Sequence, residues 1–252
     1  MTKIISFFNQ AGGQGKTVLT MNLGYHLSQR GARVLLVDMD GQASLTRQAG
    51  VKTPSRLERS IFDALIDRKN QIPMIKGVHD MDWIPANSKL YTLDFELANF
   101  DKPALKLRER LQPLHKNYDW ILIDCPPSLD FKSVNALIAS THFIVPVETA
   151  EKGTQGLTDL LATISLVLKM GNADIRPVGV VPNIYDKRET ACKHYLAKIQ
   201  KIFGEHMTVF PPIPRRTDFK HAWGHASPLK EINPDSDVLA LFDKICDHLE
   251  AL

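Results

Sequence analysis

Seven short apolar runs constrain this chain more than any other feature. They are Ile4–Phe8, Val34–Val37, Trp83–Pro85, Trp120–Asp124, Phe143–Val147, Val178–Val181 and Val209–Phe210. Most are rich in Val and Ile and apolar at every position. Such runs suit strands covered on both faces, as in a parallel sheet. The longer stretches between them read as helices, at about Lys16–Arg30, Ala104–Lys116, Leu129–Ala139, Thr154–Met170, Thr190–Phe203 and Asp237–Leu249. Gly31 and Gly171 fall where the first and fourth of these should stop. Strand–helix alternation on this scale predicts a doubly wound α/β fold, a mostly parallel sheet flanked by helices. Residues 40–70 are the least patterned and read as loop plus helix.

Composition narrows the class. The chain has 252 residues, is 44% hydrophobic, and carries 31 Lys plus Arg against 28 Asp plus Glu. That is too apolar and too weakly charged for a disordered chain. No apolar run approaches the roughly 18 residues of a membrane span. The first residues lack the pattern of a signal peptide. Cys125, Cys192 and Cys246 stand far apart, which favours a reducing cytosol over a disulfide framework. The expectation is a cytoplasmic protein filled by one domain over 1–252.

In open α/β sheets ligands bind beyond the carboxyl ends of the strands. The first run is followed there by Asn9-Gln10-Ala11-Gly12-Gly13-Gln14-Gly15-Lys16-Thr17 and then by a helical pattern. Glycines let backbone N–H groups close around phosphate oxygens, and the helix N-terminus adds partial positive charge. Lys16 supplies a point charge for the phosphates and the Thr17 hydroxyl can ligate Mg²⁺. The pattern departs from the usual phosphate loop, because its first glycine would fall at Gln10. The second run ends in Val37-Asp38-Met39-Asp40-Gly41-Gln42, which offers one acid for a metal shell and one to orient or deprotonate water. The fourth ends in Ile123-Asp124-Cys125-Pro126-Pro127-Ser128, with Asp124 placed to organise Mg²⁺.

Together these segments resemble the ParA/MinD family of P-loop ATPases with a deviant Walker A motif. The Val145-Pro146-Val147, Pro182-Asn183 and Pro212-Ile213-Pro214 segments fit the same family. The resemblance implies a P-loop NTPase fold of the ParA/Soj kind, with ATP and Mg²⁺ as cofactors. It also implies a homodimer that sandwiches ATP, non-specific binding of double-stranded DNA, and hydrolysis stimulated by a partner. Carried over, Gly12, Gly13, Gln14, Gly15, Lys16, Thr17 and Val18 would bind nucleotide. Asp40 would activate water, with Asp38 and Asp124 supporting the metal beside Thr17. Pro182, Asn183, Pro212, Ile213 and Pro214 would line the adenine pocket.

One departure stands out. The family's signature lysine, which reaches the nucleotide of the partner subunit, is replaced by Ala11. Lys152, after the fifth run, is a candidate substitute on the ligand edge. The other reading of Lys152 is a solvated side chain paired with Glu148 or Glu151. Loss of the signature lysine also resembles the carboxysome-positioning McdA branch and some plasmid ParA-like proteins. That implies an adaptor of the McdB or ParB type and residence on the nucleoid. Rival readings are a membrane-cycling MinD-like ATPase and a P-loop metabolic synthetase or kinase.

Charge is unevenly spread. Residues 181–230 hold nine Lys/Arg against four acids, a balance of +5, which leaves −2 for the remainder. Lys187, Arg188, Lys193, Lys198, Arg216, Lys220 and Lys230 are candidate DNA contacts, because clustered cations bind phosphates without reading bases. The opposing reading is a solvated helix face, with Arg215 or Arg216 near the nucleotide instead. A strand so close to Met1 leaves no room for a preceding helix-turn-helix. His221 and His225 read as a loop pair. The C-terminal stretch is amphipathic but acidic, so it reads as a core-packing helix rather than a membrane anchor.

Overall fold

The computed structural model describes residues 2–154 and 157–252. Seven strands form one sheet: β1 (Lys3–Phe7), β2 (Val34–Asp38), β3 (Ile75–Val78), β4 (Met81–Ile84), β5 (Trp120–Asp124), β6 (His142–Glu148) and β7 (Arg176–Asn183). Their order is β3-β4-β2-β5-β1-β6-β7. Every pairing is parallel except β3 with β4. The apolar runs are explained by two cores, one on each face. Ile121 and Ile123 of β5 point into the core shared with Ile4 and Phe8, and Leu122 points into the one shared with Ile5 and Phe7.

Helices pack on both faces. The first, α1 (Lys16–Gln29), is buried nearly all round. It lies close enough to the sheet that a Cβ on Gly24 would meet the Leu36 side chain at 2.8 Å. Next come α2 (Ser44–Gln48), α3 (Ile61–Ile66), α4 (Leu93–Leu97), α5 (Lys106–Leu111), α6 (Phe131–Ala139) and α7 (Glu151–Thr154). They are followed by α8 (Leu157–Met170), α9 (Thr190–Phe203), α10 (Asp218–Gly224), α11 (Leu229–Ile232) and α12 (Leu239–Glu250). The C-terminal α12 buries Leu239, Phe242, Ile245, Cys246 and Leu249, so its apolar face belongs to the core.

Four expectations need correction. The Val209–Phe210 run is not a strand; Val209 makes one isolated bridge to Val180. Ile75–Val78 is an antiparallel edge strand that the sequence pattern missed, because its burial is only partial and Gly77 breaks its run. The helix expected over Ala104–Lys116 is split into two 3-10 turns, each with a proline in its first turn, flanking α5. Residues expected at the start of a helix from Thr154 divide differently: Thr154 ends α7, α8 begins at Leu157, and 155–156 lie outside the described residues. The other strands and helices match to within a few residues.

Candidate functional site

The carboxyl ends of β1, β2, β5, β6 and β7 surround a cavity of about 660 Å³. The loop after β1 forms its floor. Lys16, 7% exposed, turns back over this loop and donates to the carbonyls of Asn9 at 2.9 Å and Ala11 at 3.1 Å. Burial pulls its pKa below the ordinary lysine value, against the opposing fields of Asp124, Cys125 and Asp40. A largely buried ammonium held by neutral carbonyls is suited to an anion with several charged oxygens.

Side chains fix the loop. Asn9 donates to Pro146 O at 2.8 Å and accepts from Ala11 N–H at 2.9 Å. Gln14, fully buried, accepts from Glu148 N–H at 2.7 Å. Asn183, at the end of β7, donates to Gln14 O at 3.0 Å. Gly15 sits at φ 85°, and a Cβ there would fall 2.0 Å from the Asn183 amide nitrogen. A side chain at 15 would therefore both strain the turn and break this brace. The expected nucleotide residues Gln14 and Asn183 thus also hold the loop against β6 and β7. Asn9, the first residue of the loop segment, does similar work, a role the sequence did not assign to it.

The acids divide into three environments. Asp38 and Asp124 are register partners on β2 and β5, and both are 1% exposed. Asp38 is fully engaged: Oδ1 accepts from Asp40 N–H at 3.0 Å, and Oδ2 accepts from Thr46 N–H at 2.8 Å and Thr46 O–H at 2.7 Å. Burial still raises its pKa above the ordinary carboxylate range. Both oxygens of Asp124 are buried without a well-formed hydrogen bond. Burial, then the neighbouring Asp38, push its pKa well up, while Thr17 and Lys16 pull it back. A divalent cation would meet this cost directly, so Asp124 and Thr17 fit Mg²⁺. Asp38 is the poorer ligand, since its oxygens already hold the β2 loop. Asp40 is partly buried and lines the cavity.

Of the expected adenine residues, Asn183, Ile213 and Pro214 line the cavity; Pro182 and Pro212 do not. Pro182 instead accepts from Ile213 N–H at 2.9 Å, tying the two segments together. Ile184, Arg215, Arg216, Phe219, Lys220 and Trp223 complete that wall. Phe219, Lys220 and Trp223 lie on α10, which carried no strand-like or long helical signal. His221 also sits on α10, and His225 follows its last turn, so they are not a loop pair.

Lys152 is exposed on α7. Its ammonium comes within 3.9 Å of where a Cβ on Gly13 would stand. The sheet thus brings Lys152 to the phosphate loop although 139 positions separate it from Gly13. Of the DNA candidates, Lys187, Lys193, Lys198 and Lys230 are exposed. Arg188 is bound to its own neighbour Asp186 at 2.7 Å. Arg216 pairs with Asp237 at 2.7 Å, and both Arg216 and Lys220 face the cavity.

The chain matches a known group. Residues 2–176 match the family model described as AAA domain. The sporulation initiation inhibitor protein Soj of Bacillus subtilis is 36% identical over 240 residues, covering 94% of this chain and 93% of Soj. This chain belongs to the ParA/Soj family of P-loop ATPases. The ParA/Soj fold is confirmed by solved structures. Apo McdA of Cyanothece superposes with TM-score 0.88 at 25% identity, covering 99% of this chain and 100% of that one. A cobyrinic acid a,c-diamide synthase of Mycobacterium smegmatis, with bound ATP analogue and magnesium, gives TM-score 0.85 at 29% identity, covering 99% and 95%.

Proposed function

We propose that this ParA/Soj-family chain is a Mg²⁺-dependent ATPase that closes into a dimer around ATP. In that state it would bind nucleoid DNA without sequence preference and position a cargo through an adaptor of the ParB or McdB type. The observation that carries the catalytic part is a buried Lys16 folded over the phosphate loop, in the field of a buried Asp124 carboxylate that lacks a well-formed hydrogen bond.

In this reading Lys16 holds phosphate oxygens, and Thr17 with Asp124 would hold Mg²⁺. Bound there, the metal would neutralise charge on the transferring phosphoryl group. Asp38 keeps the β2 loop in place. Asp40 aims and deprotonates the attacking water. The Ile213–Pro214 and Phe219–Trp223 segments form the wall for the base. Lys152 stands in for the signature lysine replaced by Ala11, because its ammonium already overlies Gly13. That substitution supports placement in the McdA-like branch.

Two further readings are weaker. A membrane-cycling role of the MinD kind is disfavoured by α12, whose apolar face is spent on the core. Among the described residues, no helix is long and apolar enough to cross a membrane. A synthetase would need groups that recognise a second substrate beside the γ-phosphate. The residues around Lys16 and Asp40 are instead accounted for by nucleotide, metal and loop bracing.

The decisive experiment compares wild type with Asp40→Ala. The variant is expected to keep ATP and Mg²⁺ affinity but lose phosphate release by about 100-fold or more, and so to accumulate as an ATP-bound dimer. Normal turnover by Asp40→Ala would refute the assignment of the base. Co-sedimentation of the trapped form with plasmid DNA, with and without ATP, tests the DNA-binding part.

A further inference from the structure

We propose that Tyr91 is a positioning residue for catalysis, holding the loop that carries Asp40. The inference rests on the reading of Asp40 as the group that activates water.

The Tyr91 ring lies flat on Gly41. A Cβ added to Gly41 would meet ring atoms Cε1, Cδ1 and Cζ at 2.9–3.0 Å. Beneath the ring, Asp40 to Ala43 form a tight turn. Asp40 O accepts from Ala43 N–H at 2.8 Å, and Asp40 Oδ1 accepts from Gln42 N–H at 2.9 Å. Ala43 is held at φ 53°, a left-handed conformation that a non-glycine residue keeps only when its surroundings impose it. The carboxylate of Asp40 is bonded to its own turn, so any shift of the turn moves the carboxylate. Tyr91 presses on this turn from one side, while Arg47 on α2 donates to the Gln42 and Ala43 carbonyls. Burial raises the Tyr91 hydroxyl pKa, and the charge of Asp40 raises it further, so the two groups share one local field.

The segment that bears Tyr91 is anchored at both ends to the other acidic loops. At its start, Ala86 N–H donates to Thr46 Oγ1 at 2.8 Å, and that hydroxyl donates to Asp38 at 2.7 Å. At its end, Asp94 accepts from Phe131 N–H at 3.1 Å and faces Lys132 at 3.5 Å, at the start of the helix that follows Asp124. One strap from 86 to 94 therefore touches the loops of Asp38, Asp40 and Asp124. Tyr91 is its contact with the loop that does the chemistry. Yet Tyr91 is 51% exposed, so its role is not that of a core residue.

The test measures ATP turnover, ATP affinity and melting temperature for Asp40→Ala, Tyr91→Ala, Tyr91→Phe, Gly41→Ala, the Gly41→Ala/Tyr91→Ala double variant and Phe95→Ala. Tyr91→Ala is expected to lower kcat about 10-fold with KM for ATP unchanged, since the ring acts on the turn that carries Asp40. Tyr91→Phe should recover kcat to within about 3-fold, because the ring face still covers Gly41 and only the hydroxyl's contact with Gln42 is lost. Gly41→Ala should match Tyr91→Ala by pushing the ring away. The double variant should lose about 10-fold, not the 100-fold product of independent sites. Phe95, 80% exposed just beyond the strap on α4, should tolerate alanine without change.

Wild-type kcat in Tyr91→Ala overturns the proposal, as does multiplicative loss in the double variant. A parallel fall in melting temperature and ATP affinity would reduce the ring to a structural role and overturns it too. If Asp40→Ala turns over ATP normally, the parent reading fails and this one with it. An inactive Asp40→Ala beside a fully active Tyr91→Ala sinks this inference alone.

Discussion

The carboxyl edge of the sheet and the basic stretch at 181–230 treat charge in opposite ways. At the edge, Lys16, Asp38 and Asp124 are buried, and burial is the largest influence on the pKa of each. In the basic stretch, Lys187, Lys193, Lys198 and Lys230 are exposed, and Arg188 and Arg216 are already paired with acids. A buried charge depends on one particular partner and tolerates little displacement. An exposed cation is screened by water and salt, and acts through number rather than position. Single substitutions should therefore be drastic at the first site and mild at the second.

The largest effect is expected for Lys16→Ala. It removes the phosphate cation and leaves Asp124 further from balance, so ATP turnover should fall by at least about 100-fold, read as phosphate release at saturating Mg²⁺. Lys152→Ala comes next. Because Lys152 is exposed and reaches only the outside of the loop, the loss should be about 10- to 100-fold in kcat, with ATP affinity kept within about 3-fold. Intact ATP-driven dimerisation and turnover in Lys152→Ala would return it to the class of solvated lysines.

The basic stretch should respond differently. Replacing Lys187, Lys193 or Lys198 one at a time should weaken DNA binding modestly, equally on all sequences, and lower the slope of log affinity against log salt by roughly one for each contact removed. A single lysine whose loss abolished binding would break the contrast. Arg216→Ala sharpens it from the other side. Arg216 faces the nucleotide cavity, so its loss should disturb ATP affinity more than the salt slope.

The same contrast explains what was legible in the sequence. The phosphate loop, Asp38, Asp40 and Asp124 could be read because each is fixed by spacing at a strand end, where the fold leaves few alternatives. The doubly wound sheet could be read because strands covered on both faces are apolar throughout. The cavity wall beyond β7 was only half legible. Ile213 and Pro214 stood in a recognisable segment, but Phe219, Lys220 and Trp223 reach the cavity through α10, seven residues long and marked by no strong period. The bracing roles of Asn9 and Tyr91 were illegible for another reason. Asn9 braces the loop against β6, and Tyr91 lies on Gly41 fifty positions away. Tertiary contacts of that kind leave no local pattern. Counting charges located the basic stretch but could not tell its free lysines from Arg188, which is tied to Asp186.

A buried histidine outside both regions tests whether burial itself, rather than the chemistry of the site, moves ionisation. His26 on α1 is 3% exposed, with Nδ1 3.0 Å from Asp243 on α12. Desolvation lowers its pKa; the hydrogen bond and charge of Asp243 act against this, while Lys230 and Arg30 add to it. The folded-state pKa therefore lies below the ordinary value of about 6.5. Between those two values the unfolded chain binds more protons, so stability rises with pH there and falls as pH drops below about 6.5. Melting temperature should accordingly decline from pH 7 to pH 5. His26→Gln should decline less over the same range, with parallel curves above pH 7. The slope should not vanish, because burial also lowers His115 and His142. If His26→Gln declined more steeply than wild type, Asp243 would outweigh burial at this position. The histidine would then be held charged, and partner charge rather than dehydration would govern ionisation in the core.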